Sequence, residues 1–318
     1  MDIRVSCYTC HMPTKKRLWY LFKAMRPNQW VKNFVVYIAI LFNGQLFNGP
    51  LFLVSTYAFL LFCAISSASY LLNDIIDLPY DKLHPVKKNR PLASGKISLA
   101  DASFAMFLLV LIALTGSLTL RIAFGSIIFV FFLIHVLYST VLKRQILFDI
   151  FAISLSFMLR LFGGELITGY HVPIWLWLTT FFFSLFIASV KRHSEFINQG
   201  SKTRPVLTRY TNELLMFLVN AFAVLSIFSY SFYAFIEKPP HIQTKMSEIL
   251  APIFRSPDTR KWFMLTVPFV VFGIARYAQL LYEQRQGEAP EKLITQDKTL
   301  IITILLWALV LISLIYVI

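Results

Sequence analysis

The chain has 318 residues, 57% of them hydrophobic and only 14% charged, a balance too apolar for a water-soluble fold of two ordinary domains. Its 30 Lys and Arg against 16 Asp and Glu give a formal charge of +14, and in so apolar a chain that excess belongs beside lipid headgroups or an anionic substrate rather than nucleic acid. Three cysteines exclude a disulfide framework, so burial in lipid has to hold the chain together.

Residues 1–17 read as an N-terminal tail that need not be ordered, and 18–318 as one transmembrane domain, since no Gly/Ser-rich or Pro-rich linker divides it. The tail spells a c-type haem attachment pattern, Cys7-Tyr8-Thr9-Cys10-His11. Haem is attached outside the cytoplasm, whereas the charge rule puts this segment inside, so the pattern is read as incidental. The basic, aromatic stretch that follows (Lys15, Lys16, Arg17, Trp19, Tyr20, Phe22, Lys23) predicts a segment lying on anionic headgroups.

Apolar runs then recur at 51–72, 102–120, 122–142, 146–168, 174–190, 214–235, 262–282 and 300–318, each near the ~20 residues that a helix needs to cross hydrocarbon. A ninth, 30–47, is shorter and carries Lys32 and Asn33, which must face a cavity or the interface. Barrel strands would show alternation, and these runs are continuous, so the class is an all-α integral membrane protein of about nine transmembrane helices. Most Lys and Arg fall at one set of span ends, which puts the N-terminus and the loops 73–96, 143–144, 191–209 and 283–298 in the cytoplasm.

The first of those loops carries the densest chemistry. Asn73-Asp74-Ile75-Ile76-Asp77-Leu78-Pro79-Tyr80-Asp81 sets three acids and an amide at a span end, where they repel one another unless a cation is bound. Asn73, Asp77 and Asp81 stand at i, i+4 and i+8, one face of a continuous helix, although Pro79 predicts a stop or kink that would bring Asp81 in from a separate segment. Hard oxygen donors suit Mg²⁺ completed by substrate phosphates; the bland reading is a solvated acidic loop. Lys82, Lys87, Lys88, Arg90 and Lys96 follow at once, and an acidic cluster before a basic one is what a metal-bound diphosphate requires, although positive-inside topology also places Lys here.

This combination resembles the UbiA superfamily of intramembrane prenyltransferases, and within it the branch of decaprenyl-phosphate phosphoribosyltransferases. The likeness rests on Asn73-x-x-x-Asp77-x-x-x-Asp81, on 26–33 (Arg-Pro-Asn-Gln-Trp-Val-Lys-Asn), on Tyr138-Ser139 with Leu142-Lys143, on Asp149, on Arg160 with Gly163-Gly164, and on Lys191-Arg192-His193-Ser194-Glu195. It continues through 204–211, Arg276-Tyr277 and 288–298, and so runs from about residue 18 to the end. General prenyltransferases of this family carry a second Asp-rich motif after the sixth helix; Lys191, Arg192 and Glu195 stand there instead, a set suited to gripping phosphate directly.

The resemblance implies a bundle with its site at the cytoplasmic face of a bacterial inner membrane, and transfer of 5-phosphoribosyl from phosphoribosyl diphosphate to a polyprenyl phosphate for an arabinan-type cell-wall precursor. It assigns Mg²⁺ to Asn73, Asp77 and Asp81, catalysis to Asp77, Asp81 and Lys191, and substrate binding to Gln29, Lys32, Asn33, Lys82, Arg90, Tyr138, Lys143, Arg160, Arg192, Glu195 and Arg204. Asp149 joins the site, with an inter-helix structural pair as its alternative. Glu165 is left out as too near the outer face, His135 reads as packing, and Arg276 reads equally well as a snorkelling side chain. A homo-oligomer is compatible with all of this. The rival enzyme moves a prenyl chain from a prenyl diphosphate to an aromatic acceptor, and a rival of another class transports an anionic solute. Transporters set their sites near the midplane, whereas these polar clusters sit at one face.

Overall fold

In the computed structural model, residues 13–84, 86–199, 209–237, 240, 261–284 and 296–316 are described. The haem-like pattern, Arg204 and most of the loops after 199, 237 and 284 lie outside them. Among the described residues there is no strand.

The helices are α1 (Thr14–Ala24), α2 (Ile38–Phe42), α3 (Gly49–Ile76), α4 (Leu78–Asp81), α5 (Leu99–Leu120), α6 (Ile122–Thr140), α7 (Phe148–Thr168), α8 (Ile174–Gln199), α9 (Asn212–Ile236), α10 (Val267–Gln284) and α11 (Lys298–Tyr316). Eight of them, α3 and α5–α11, contain segments long and apolar enough to cross a membrane, and the protein is a multi-pass membrane protein. The ninth expected span is built differently. Pro27–Tyr37 winds as a 3-10 helix before the short α2. At about 2.0 Å per residue the 3-10 part extends further than an α-helix, so together with α2 it has a contour of about 30 Å.

Two compact units share the chain, one built from residues up to Phe34 and from Thr56–Lys143, the other from Val35–Ser55 and from Arg144 onward. In the first, α1 carries Lys and Arg but no acid, leaves Leu18, Trp19 and Phe22 exposed, and is tied to the α5 N-terminus by the Arg17–Asp101 ion pair. Ser98 and Asp101 form a reciprocal capping box that starts α5. The helix α1 cannot run on because Pro27 disfavours right-handed helix at the residue before it, and Arg26 adopts φ 55. Its guanidinium lies over the Tyr70 ring, 5.0 Å from the centroid, and donates to Asp74, which offsets the left-handed backbone.

In the second unit, α7, α9 and α11 bury Leu161, Tyr230, Tyr233, Leu311 and Leu314 against Ala39 and Phe42 of α2. Gly164 permits this approach: a Cβ there would stand 2.3 Å from the Val36 carbonyl oxygen. Glu165 accepts hydrogen bonds from the Val172 amide (2.6 Å) and Trp177 Nε1 (3.0 Å), so this deep acid fixes the turn between α7 and α8.

Two helices are longer than hydrocarbon requires. With 28 and 26 residues, α3 and α8 measure about 42 and 39 Å against a core of ~30 Å. The C-terminal parts of these two helices carry Asn73 with Asp74 and Lys191 through Glu195.

Candidate active site

The acidic motif keeps helical spacing across Pro79. The Asp77 amide donates to the Asn73 carbonyl (2.9 Å) and the Asp81 amide to the Asp77 carbonyl (2.9 Å), so the three side chains stand one turn apart. Pro79 sits in the first turn of α4, where a missing N–H costs nothing, and the bend falls at Asp77. Asp81 thus stays in register with the end of α3 while belonging to a new short helix.

Each motif side chain has a partner inside the first unit. Asn73 Oδ1 accepts from Ser139 Oγ at 3.3 Å, Lys143 Nζ lies 2.5 Å from Asp77 Oδ1, and Arg90 Nη1 lies 2.6 Å from Asp81 Oδ2. Asp74, one of the three acids of the motif but given no role of its own by the sequence, organises the cluster. It is 3% exposed, and its Oδ1 receives Arg26 Nη2 at 2.5 Å and Arg90 Nη1 at 3.1 Å. A carboxylate buried to that degree needs such pairing to remain charged. The backbone of the basic loop is fixed as well: His84 Nδ1 accepts from the amides of Val86 and Lys87, the Arg90 carbonyl accepts from Ser94, and Gly95 supplies the turn at φ 72. Arg90 is therefore aimed by its loop at two carboxylates.

The donor chemistry of Asn73, Asp77 and Asp81 fits a hard divalent cation. Their arrangement is that of an ion-paired cluster, and among the described residues no three His, Cys, Asp or Glu side chains gather as a metal-binding group.

The other positions assigned to this unit divide by exposure. Lys82 is exposed, while Lys32, Tyr138 and Lys143 are half-buried. Gln29 Oε1 accepts from Tyr70 OH at 3.4 Å. Asn33 is fully buried, donating to Cys63 Sγ at 3.2 Å and accepting from Ser66 Oγ at 3.5 Å. Together with Trp30, whose Nε1 donates to Ser67 Oγ at 3.0 Å, these residues bind the 3-10 helix to α3. That accounts for several polar residues of the 26–33 motif without substrate.

In the second unit, the end of α8 meets the start of α7. Arg192 Nε lies 2.5 Å from Asp149 Oδ2, both side chains fully buried, and Arg192 Nη1 pairs with Glu195. The Tyr210 hydroxyl donates to Asp149 Oδ1 at 2.7 Å. Burial, reinforced by the Asp149 carboxylate, pushes the Tyr210 phenol above its usual range, so it stays a donor at any physiological pH. His193 Nε2 meets Asn212 Oδ1 at 3.1 Å, and Lys191 is half-buried. Sequence placed Arg192 on substrate; the structure surrounds it with two carboxylates, which suits an organiser of this helix end.

Arg160 does not join that group. It lies eleven residues further along α7 than Asp149, about 16 Å away, and its Nη1 donates to the Ser156 carbonyl at 2.7 Å, with the guanidinium over the Phe157 ring. His135 Nδ1 lies 2.9 Å from the Phe131 carbonyl, a packing role as expected. Arg276 is more than a snorkelling chain, since its Nη2 lies 2.8 Å from Asp297, whose carboxyl it holds below the usual range.

Residues 33–295 match the model of the UbiA prenyltransferase family. The decaprenyl-phosphate phosphoribosyltransferase of Corynebacterium glutamicum is 32% identical over 313 residues, covering 96% of this chain and 89% of the relative. The enzyme of the same description from Mycolicibacterium smegmatis is 29% identical, covering 93% and 92%. Among solved structures, a UbiA homolog from Archaeoglobus fulgidus bound to GPP and Mg²⁺ superposes with a TM-score of 0.65 at 16% identity, over 93% of this chain and 99% of that one. That likeness is one of fold.

Proposed function

The chain belongs to the UbiA prenyltransferase family, and we propose that within it residues 18–318 form one domain that transfers 5-phosphoribosyl from phosphoribosyl diphosphate to a polyprenyl phosphate, releasing diphosphate. The single observation that carries this reading is the fate of the acids at the end of α8. Glu195, the one acid of that end, and the facing Asp149 are both taken up by Arg192, with Lys191 next to it, a set with too few acids for a second group of metal ligands and one that favours holding phosphate by cations such as Lys191. The relatives of matching length, described as decaprenyl-phosphate phosphoribosyltransferases, support the same choice over an aromatic prenyl transfer.

In the reaction the bond from ribose C1 to the diphosphate oxygen breaks while an oxygen of the lipid phosphate bonds to C1 from the opposite face. A phosphate is already ionised at neutral pH, so no side chain has to remove a proton. Asn73, Asp77 and Asp81 would hold Mg²⁺, which when bound draws charge from the leaving diphosphate. Arg90, Lys143 and Lys82 supply the positive charge beside that motif, and Lys191 and Arg204 supply it for the lipid phosphate or the sugar 5-phosphate. Gln29, Lys32 and Tyr138 contribute polar contacts at the first cluster, Asn33 fixes the 3-10 helix behind them, Arg160 is kept as a substrate contact on the family resemblance alone, and Arg192 with Glu195 fixes the helix that bears Lys191. The reading puts both clusters at the cytoplasmic face of a bacterial plasma membrane, on the support of the basic inner loops and bacterial relatives, and has the product feed synthesis of a cell-wall arabinan-type polymer.

The test is incubation of purified protein with ribose-labelled phosphoribosyl diphosphate, polyprenyl phosphate and Mg²⁺, followed by mass analysis of the lipid fraction. The expected product keeps both the lipid phosphate and the sugar 5-phosphate. Prenylated aromatic acid from a prenyl diphosphate, with no ribose entering lipid, would transfer the assignment to the rival enzyme.

A further inference from the structure

The entry to α7 is strained, and one hydroxyl group holds it. Leu147 has φ 67 and ψ −42, in the half of conformational space that residues with a Cβ avoid. The Phe148 amide donates to the Ile146 carbonyl at 2.9 Å, which closes a three-residue turn of the rarer, strained hand about Leu147. Such a turn persists only where its surroundings over-determine it. Here they do: the Tyr210 hydroxyl accepts the Leu147 amide at 2.8 Å and donates to Asp149 Oδ1 at 2.7 Å.

From Asp149 the connection continues through its other oxygen to Arg192, which is fully buried, and from Arg192 to Glu195. A single side chain from the segment before α9 thus sets the backbone where α7 begins, the carboxylate two residues on, and through that carboxylate the last turns of α8. Lys191 is the covalent neighbour of Arg192, so the backbone that bears it is held by the same chain of contacts. The bond to Asp149 is shielded from solvent, because Asp149 is fully buried and Tyr210 nearly so.

We propose that Tyr210 is a positioning residue for the transfer reaction: through Asp149 and Arg192 it fixes the direction in which Lys191 meets a substrate phosphate. The role of Lys191 in this statement rests on the function proposed above, whereas the contacts of Tyr210 do not. Removing the hydroxyl leaves the phenyl ring to fill its space but frees the Asp149 carboxylate to rotate and removes the acceptor of the Leu147 amide. A displacement of Lys191 by about 1 Å is enough to cost on the order of a hundredfold in rate.

The experiment uses the full chain in lipid nanodiscs, with Tyr210→Phe, Asp149→Asn, the double variant, and Tyr316→Phe as a control whose hydroxyl accepts the Leu46 amide elsewhere in the fold. Three quantities are read: KM and kcat for phosphoribosyl diphosphate, thermal stability, and the rate of Lys191 acylation with and without inorganic diphosphate. Tyr210→Phe is expected to lower kcat/KM roughly tenfold to a hundredfold, mainly through KM, with the double variant no worse than the poorer single one. Diphosphate should slow Lys191 acylation in the wild type and lose that effect in Tyr210→Phe, while Tyr316→Phe changes neither KM nor protection.

Unchanged KM and unchanged protection in Tyr210→Phe would overturn the proposal, as would a fall in thermal stability with the kinetics of the folded fraction intact. Failure of diphosphate to protect Lys191 in the wild type would overturn it as well. Should the wild type move no ribose, the function reading falls by itself, and positioning is then decided by Lys191 protection alone. Should Tyr210→Phe not fold, Asp149→Glu, which keeps the buried charge beside Arg192 but moves the acceptor of the Tyr210 hydroxyl, is held to the same outcomes.

Discussion

Arg192 Nε lies 2.5 Å from Asp149 Oδ2, and neither side chain is reached by solvent. Removing one partner of such a pair strands the other's charge in the interior, which costs about 3–5 kcal/mol. Arg192→Gln is therefore expected to lower stability by about that amount. Lys191→Gln, whose side chain is half-exposed, should stay within about 0.5 kcal/mol of wild type while impairing turnover. Thermal unfolding and ribose transfer measured on the same nanodisc samples check both. Equal stability losses at the two positions would remove the distinction between organiser and contact.

The acidic motif makes the second expectation. Asp77→Asn keeps the side chain's size but removes its negative charge and one oxygen ligand, and chelation of divalent ions should mimic it. Both should abolish most turnover without unfolding the protein, and added Mg²⁺ should restore the chelated wild type only. Full turnover in the presence of chelator would sink the assignment of a metal to Asn73, Asp77 and Asp81.

Asp74 gathers Arg26 and Arg90, so its loss should be felt through both. Asp74→Asn leaves two guanidinium groups around a neutral amide and is expected to cost about 1–3 kcal/mol of stability and to impair turnover as Arg90→Gln does. Because they share one contact, the double variant should fall short of the sum of the single losses. Fully additive losses in turnover would mean that Asp74 and Arg90 act independently.

The close approach of α7 to the 3-10 helix predicts a purely structural lesion. Gly164→Ala puts a methyl group 2.3 Å from a backbone oxygen, which cannot swing aside as a side chain would. Loss of about 3 kcal/mol, the upper part of the overpacking range, is expected, against ~1 kcal/mol for Gly169→Ala, where φ is 77 but the space is open. Unfolding of both variants in the same detergent provides the comparison.

How much of this was legible beforehand differs from element to element. Runs of about twenty apolar residues mark their own spans, because lipid selects for composition along the chain and needs no knowledge of neighbours. Such runs located the eight long helices. The segment 27–37 misled because its apolar residues do not reveal which helix they wind into; buried bonds from Trp30 and Asn33 to α3 accompany the 3-10 form. Pro79 marked the end of α3 and a separate segment for Asp81, as expected; what it did not reveal is that the new helix, whose first turn accepts a proline, keeps Asp81 one turn from Asp77.

The sequence by itself determined that the protein spans a membrane, that its charged groups cluster at span ends, and which residue types meet there, because spacing of Asn73, Asp77 and Asp81 along one helix face is a local property. Only the tertiary structure decided what each group is bonded to. Asp74 meets Arg26 across 48 residues, and Asp149 meets Tyr210 across 61. No local period records such pairs. Burial makes them matter: in a low-dielectric interior an ionised group is tolerated only beside its partner, so the fold sets Asp74 beside Arg26 and Arg90, and Arg192 beside Asp149, pairings that neither residue's sequence neighbourhood announces.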